Sequence, residues 1–99
     1  MQLTISPLAE RDLEAIGDYI AADNPSRAVS FITELRTQCT TIAKAPQAYR
    51  KRPELGDDIR SCAYGNYVVF FTATKTRINI VRILHGAMDI PAQFTGEKK

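Results

Sequence analysis

The stretch IRSCAYGNYVVFFTATKTRINIVRILHGAMD, residues 59–89, restricts what this chain can fold into more than any other part of it. YVVFFT, Tyr67 to Thr72, is β-branched and aromatic, as strands are. Tyr64-Gly65-Asn66 before it has turn chemistry, and Ala73 to Thr76 after it is short and polar enough to reverse the chain. Ile78 to Leu84 is a further apolar run, closed by His85-Gly86. Strand runs joined by short turn signals predict an antiparallel meander of three strands. A sheet this small has to cover an apolar face with something else in the chain.

The first half of the sequence is patterned to do so. Gln2 to Ile5 alternates and predicts a short first strand. Ser6-Pro7 then opens a helix, with serine as N-cap and proline at the first helical position. Ala9, Leu13, Ile16 and Ile20 form its apolar stripe, and acidic residues crowd its first turns, which suits the helix dipole. The helix has to stop near Asn24-Pro25, and the same two residues start a second one as N-cap and first position. Ala28, Phe31, Ile32, Leu35, Cys39 and Ile42 form the second stripe, which ends before Pro46. Helices over 7–23 and 25–44 therefore make a tight αα-hairpin with one apolar face each. The expected fold is α+β: an N-terminal strand and a two-helix hairpin packed on a small antiparallel sheet, all within one domain, 1–99.

Composition narrows the function classes. At 44% hydrophobic and 24% charged residues the chain has the make-up of an ordinary globular protein. No apolar run approaches a membrane span, and MQLTISPLAERD has no secretory pattern, so a cytoplasmic location without membrane contact is expected. One histidine and no clustered ligands make a metal site unexpected, and no cofactor motif stands out. Cys39 and Cys62 form no CxxC; two reduced, partly buried thiols are the expected reading, with a disulfide as the alternative.

Charge is unevenly placed although the net value is only +2. Residues 1–43 hold three basic and six acidic groups, a net of −3, whereas residues 44–99 hold ten and five, a net of +5. The asymmetry predicts a basic face built by the loop and sheet. Residues 46–58, PQAYRKRPELGDD, read as a loop carrying Arg50, Lys51 and Arg52, either simply solvated or binding an anion or an acidic partner. In RINIVRIL, Ile80 and Val81 are adjacent apolar residues, which places apolar groups on both faces. One face is expected on the helices and the other partly under a second chain. Arg82 lies within this run and needs either an internal partner or a functional groove. The tail 96–99 is expected to fray.

Four segments together resemble the RelE/ParE superfamily of bacterial toxins, and within it the ParE branch, also called plasmid-stabilisation proteins. They are NPSRAVSFITEL (Asn24 to Leu35), RPELG (Arg52 to Gly56), GNYVVFF (Gly65 to Phe71) and VRILHGAMD (Val81 to Asp89). Met88 departs from the arginine of the family's common HGARD ending.

The resemblance implies the toxin of a type II toxin–antitoxin pair, with DNA gyrase as target, replication as the process blocked, and a cognate ParD-like antitoxin as the neutralising partner. It implies contact with operator DNA only through the antitoxin complex. Candidate target contacts are Arg50, Lys51, Arg52, Arg60, Arg82, His85 and Met88, with Met88 to Phe94 as an apolar contribution. Candidate antitoxin contacts are Ile16, Ile20, Ile78 and Ile80. No catalytic residue is assigned, so the chain is expected to act as a gyrase poison and not as a catalyst.

The alternative within the superfamily is a RelE-like ribosome-dependent messenger-RNA endonuclease. That chemistry needs a base for the 2′-hydroxyl, cations for phosphate charge and an acid for the leaving group. RelE-like nucleases commonly carry arginine after the tyrosine of the GY strand and again after the last strand. Here Val68 and the Gly86-Ala87-Met88 run stand at those places. A non-toxic binding module is the third reading.

Overall fold

The computed structural model describes residues 2–95; the expected frayed tail, 96–99, lies outside them. The N-terminal strand β1 (Gln2–Ile5) leads into α1 (Pro7–Ala21) and α2 (Pro25–Lys44). Both helix starts have the local cause expected of them. The Ser6 hydroxyl accepts from the Ala9 amide at 3.1 Å, and Asn24 Oδ1 accepts from the Arg27 amide at 3.0 Å. Proline occupies the first turn of each helix. The helix boundaries match expectation, except that α1 stops at Ala21.

The remaining elements are β2 (Arg50–Lys51), β3 (Ile59–Tyr64), β4 (Tyr67–Ala73), β5 (Arg77–His85) and a short α3 (Ile90–Thr95). They form one five-stranded sheet in the order β1-β5-β4-β3-β2. β3, β4 and β5 are the antiparallel meander, with Gly65 in the left-handed region (φ 58°) at the β3–β4 turn. The sheet is larger than the meander alone in two ways. β1 pairs with β5 in parallel, Gln2 opposite Arg77 through Ile5 opposite Ile80, so the sheet is mixed. Within the expected loop 46–58, Arg50 and Lys51 pair with Ser61 and Arg60.

One contiguous core lies between helices and sheet. Leu13, Phe31, Leu35 and Ile42 meet Val69, Phe71, Ile78, Ile80 and Ile83, all buried. The adjacency of Ile80 and Val81 has a different cause from the expected one. The register against β4 slips at this point: Phe71 faces Ile80 and Phe70 faces Arg82, so Val81 is skipped as a bulge. Ile80 keeps its place in the core and the alternation resumes at Ile83. Phe70 is also fully buried; it packs edge-on against Phe94 of α3, ring centroids 5.0 Å apart. This chain's own C-terminal helix covers Phe70, where a second chain was expected.

Candidate functional site

The seven candidate target contacts fall into three separate places. The first is the end of β5. Its neighbour β1 runs out at Ile5, and α1 takes over that edge. Asp12 of α1 accepts from Arg82 Nε at 2.8 Å and Arg82 Nη2 at 2.9 Å, and its Oδ2 also accepts from the Ile83 amide at 2.9 Å. A single carboxylate thus neutralises the arginine and satisfies an edge N–H. The pair is largely buried, with side-chain exposures of 18% for Arg82 and 12% for Asp12. The hydrogen bonds that Arg82 donates to Asp12 raise the arginine pKa further above its ordinary value. Arg82 is therefore a paired structural arginine. Its partner was legible in principle: Asp12 lies three residues after Ala9 and four before Ile16, on the buried stripe of α1.

His85 and Met88 sit beyond this clamp, in a shallow groove of about 210 Å³ that also takes in Ala15, Tyr19 and Tyr67. His85 is exposed, and its ring stands edge-on to Tyr67 at 5.1 Å. Its Nδ1 accepts from the Ala87 amide at 3.0 Å, which places the proton of the neutral ring on Nε2. Burial raises the Tyr67 phenol above its ordinary pKa. Tyr19 and Met88 are exposed, so the groove has an apolar, accessible rim.

The second place holds Arg52 alone. Its Nε donates to Glu54 at 2.6 Å, Nη1 donates to Ser61 at 3.3 Å, and the guanidinium lies 5.7 Å from the Phe70 ring centre. Glu54 is held below the usual carboxylate pKa chiefly by Arg52.

The third place brings Lys51 and Arg60 together. They are directly opposite on the β2–β3 ladder and line a cleft of about 510 Å³ with Lys75, Gln47, Asp58 and Thr74. Arg60 Nη1 donates to the Tyr49 carbonyl at 2.7 Å, which fixes the side chain. Arg50, exposed and opposite Ser61, precedes Lys51 in β2 and so faces the other side of the sheet. The triplet 50–52 is thus split: Arg52 is tied down, whereas Arg50 and Lys51 form no ion pair among the described residues.

The expected antitoxin contacts need correction. Ile16, Ile78 and Ile80 are core residues of this chain, the last two with no exposed surface. Only Ile20 is partly accessible, in a depression shared with Tyr19, Asn24 and Arg27. Strand alternation is the physical reason: Ile78 and Ile80, two residues apart, both face the helices, and the bulge at Val81 brings Ile83 to that side as well, where adjacency had suggested an open face.

Among the described residues no cluster of three metal-ligating side chains occurs, and no helix is long and apolar enough to cross a membrane. Both cysteines are free thiols; burial pushes Cys39 up to about 11, and Cys62 Sγ accepts from Gln38 Nε2 at 3.2 Å.

A sequence profile described as the ParE toxin of the type II toxin–antitoxin system parDE matches residues 3–90. The chain belongs to the ParE toxin family. Solved structures agree on the fold. A chain of the chromosomal ParDE toxin–antitoxin system from P. aeruginosa superposes with a TM-score of 0.74 at 22% identity, over 86% of this chain and 95% of that one. A chain of the RelBE2 toxin–antitoxin complex from Mycobacterium tuberculosis superposes at 0.64 with 19% identity, over 85% and 95%. No curated protein sequence matches significantly. As a ParE-family toxin, the chain keeps the α+β scaffold of both relatives, and it sets two strand cations without an ion pair among the described residues, Lys51 and Arg60, opposite each other on the β2–β3 ladder.

Proposed function

We propose that this ParE-type toxin acts in the bacterial cytoplasm by binding DNA gyrase and blocking replication, without bond-breaking chemistry of its own. The observation that carries the reading is how its polar residues are used. Arg82 is committed to Asp12, and the His85 ring, whose Nδ1 accepts from a backbone amide, has no carboxylate partner among the described residues, so no acid–base pair beside a free phosphate-binding arginine is assembled there. The cations at the opposite end of the sheet remain available for contact. A charged docking surface of this kind suits a large protein–DNA target.

A cognate antitoxin is the second partner. Both structural relatives come from toxin–antitoxin pairs. The accessible apolar rim of α1, with Tyr19 and Ile20, and Met88 across the groove supply a surface for a segment that folds as it binds. Operator DNA is reached through the antitoxin in that complex.

Overexpression in bacteria tests the reading. Growth arrest with filamentation and a DNA-damage response, relieved by co-expressing the neighbouring small reading frame, is the expected result. Rapid translation arrest with cleaved messages would replace gyrase by a RelE-like nuclease activity. Normal growth would leave a non-toxic binding module.

A further inference from the structure

We propose that the cleft between β2, β3 and the β4–β5 turn is a phosphate-backbone site, through which the toxin holds duplex DNA. The inference deepens the gyrase reading and rests on it for its biological setting: the DNA is the duplex already bound at the target.

The first observation is a like-charge pair. Lys51 and Arg60 are directly opposite on an antiparallel ladder, a placement that costs stability by mutual repulsion. A solvated surface has no use for that cost, whereas an anion between the two side chains reverses its sign. Arg60 is held by the Tyr49 carbonyl through one nitrogen only, which leaves its other donors for a ligand.

The second observation comes from a different element. The β4–β5 turn carries Lys75 to the same cleft. That turn is pinned: Thr74 Oγ1 accepts from the Arg77 amide at 3.1 Å, and the Thr74 amide donates to the Arg77 carbonyl at 2.8 Å. Lys75 is thus presented by an ordered hairpin. Gln47, just beyond α2, adds an amide to the wall.

Lysine, arginine and glutamine side chains are common donors to phosphate oxygens, and such contacts carry no sequence information. Asp58 is the one acidic residue lining the cleft, with Asp57 beside it near Lys51. Lys51, Arg60 and Lys75 form no ion pair among the described residues, while Arg27, Arg36, Arg52 and Arg82 each have a carboxylate. Arg50, exposed and paired with Ser61, faces the other side of the sheet and is not part of the cleft, whose three cations come from β2, β3 and the β4–β5 turn.

The test is fluorescence anisotropy of a labelled random-sequence DNA duplex titrated with the full chain over a salt series. A parallel supercoiling assay uses purified gyrase. Binding is expected, with a log–log salt slope of about −3 for three phosphate contacts. Lys51→Gln, Arg60→Gln and Lys75→Gln should each lower that slope by roughly one. Arg11→Gln, on the acidic half of the molecule, should leave it unchanged. Thermal melting of each variant separates lost binding from lost folding, and Lys51→Gln should melt no lower than the parent, since it removes a repulsion.

No duplex binding would overturn the proposal, as would binding that the three variants leave intact. So would binding of poly-glutamate or single-stranded RNA, but not duplex DNA, with the same dependence on these cations. Cation-dependent duplex binding without gyrase inhibition would support the site and remove gyrase as its setting. Inhibition that the three variants leave unchanged would keep gyrase and overturn the site.

Discussion

The two ends of the sheet treat the same problem in opposite ways. At the β5 end, Arg82 meets a bidentate carboxylate that also satisfies the Ile83 amide. At the β2–β3 end, Lys51 and Arg60 face each other across a ladder without a carboxylate partner among the described residues. A cation inside a strand is thus no guide to function by itself. What distinguishes structure from function is whether the fold supplies the counter-charge. Where it does, as at Arg82, the arginine is part of the architecture; where it does not, as at Lys51 and Arg60, the charge is free to meet a partner.

The largest effect should come from the neutralised end. Asp12→Ala leaves Arg82 as a nearly buried unpaired cation and the Ile83 amide unbonded. Loss of about 3–5 kcal/mol is expected in chemical denaturation. The double change Asp12→Leu with Arg82→Met removes both charges and should recover most of that loss. The orphaned Ile83 amide then accounts for a residue of about 1–3 kcal/mol. A single Asp12→Ala variant with an unchanged midpoint would erase the contrast between the two ends.

At the unneutralised end the sign should reverse. Lys51→Thr removes a repulsion and places a β-branched residue in a strand. A gain of about 0.2–1 kcal/mol is expected, against the loss predicted for Asp12. A destabilisation of the same size would mean that Lys51 has a structural partner after all.

The smallest effect lies on the helix hairpin. Glu34 is held below its usual pKa of 4.5 by Arg27, which donates to it at 2.7 Å, and by the Tyr64 hydroxyl at 2.8 Å. A lowered folded-state pKa means that the carboxylate form favours the fold. This contribution is present above pH 4.5 and is lost as pH falls through the folded value. Glu34→Gln should therefore flatten the decline in melting temperature between about pH 6 and about pH 3. Exposed pairs of this kind contribute little at neutral pH, so the variant and parent should differ only slightly there.

Local chemistry made much of this fold legible. Ser6-Pro7 and Asn24-Pro25 carry their caps within three residues, so both helix starts follow from sequence alone. The Tyr64–Tyr67 turn and the β4 and β5 runs are local as well. What was not legible depends on distant partners. β2 is two residues in a proline-containing loop and becomes a strand only by pairing with Ser61 and Arg60. The parallel register of β1 is set by β5, over seventy residues away. The Val81 bulge undid the inference of a second apolar face, because adjacency of apolar residues looks the same whether a strand is two-faced or bulged. At the candidate site, the need of Arg82 for a partner was readable, whereas the choice of Asp12 over a ligand was not. The Lys51–Arg60 juxtaposition was hidden for the same reason as β2.

Under the proposed function, this ParE-family chain occupies gyrase through an unneutralised surface and performs no catalysis. Supercoiling of relaxed plasmid by purified gyrase, titrated with the full chain, tests it most directly. Inhibition or trapped cleavage complexes are expected at stoichiometric toxin, unchanged in His85→Ala. Unimpaired supercoiling, together with cuts in ribosome-bound message that disappear in His85→Ala, would contradict it.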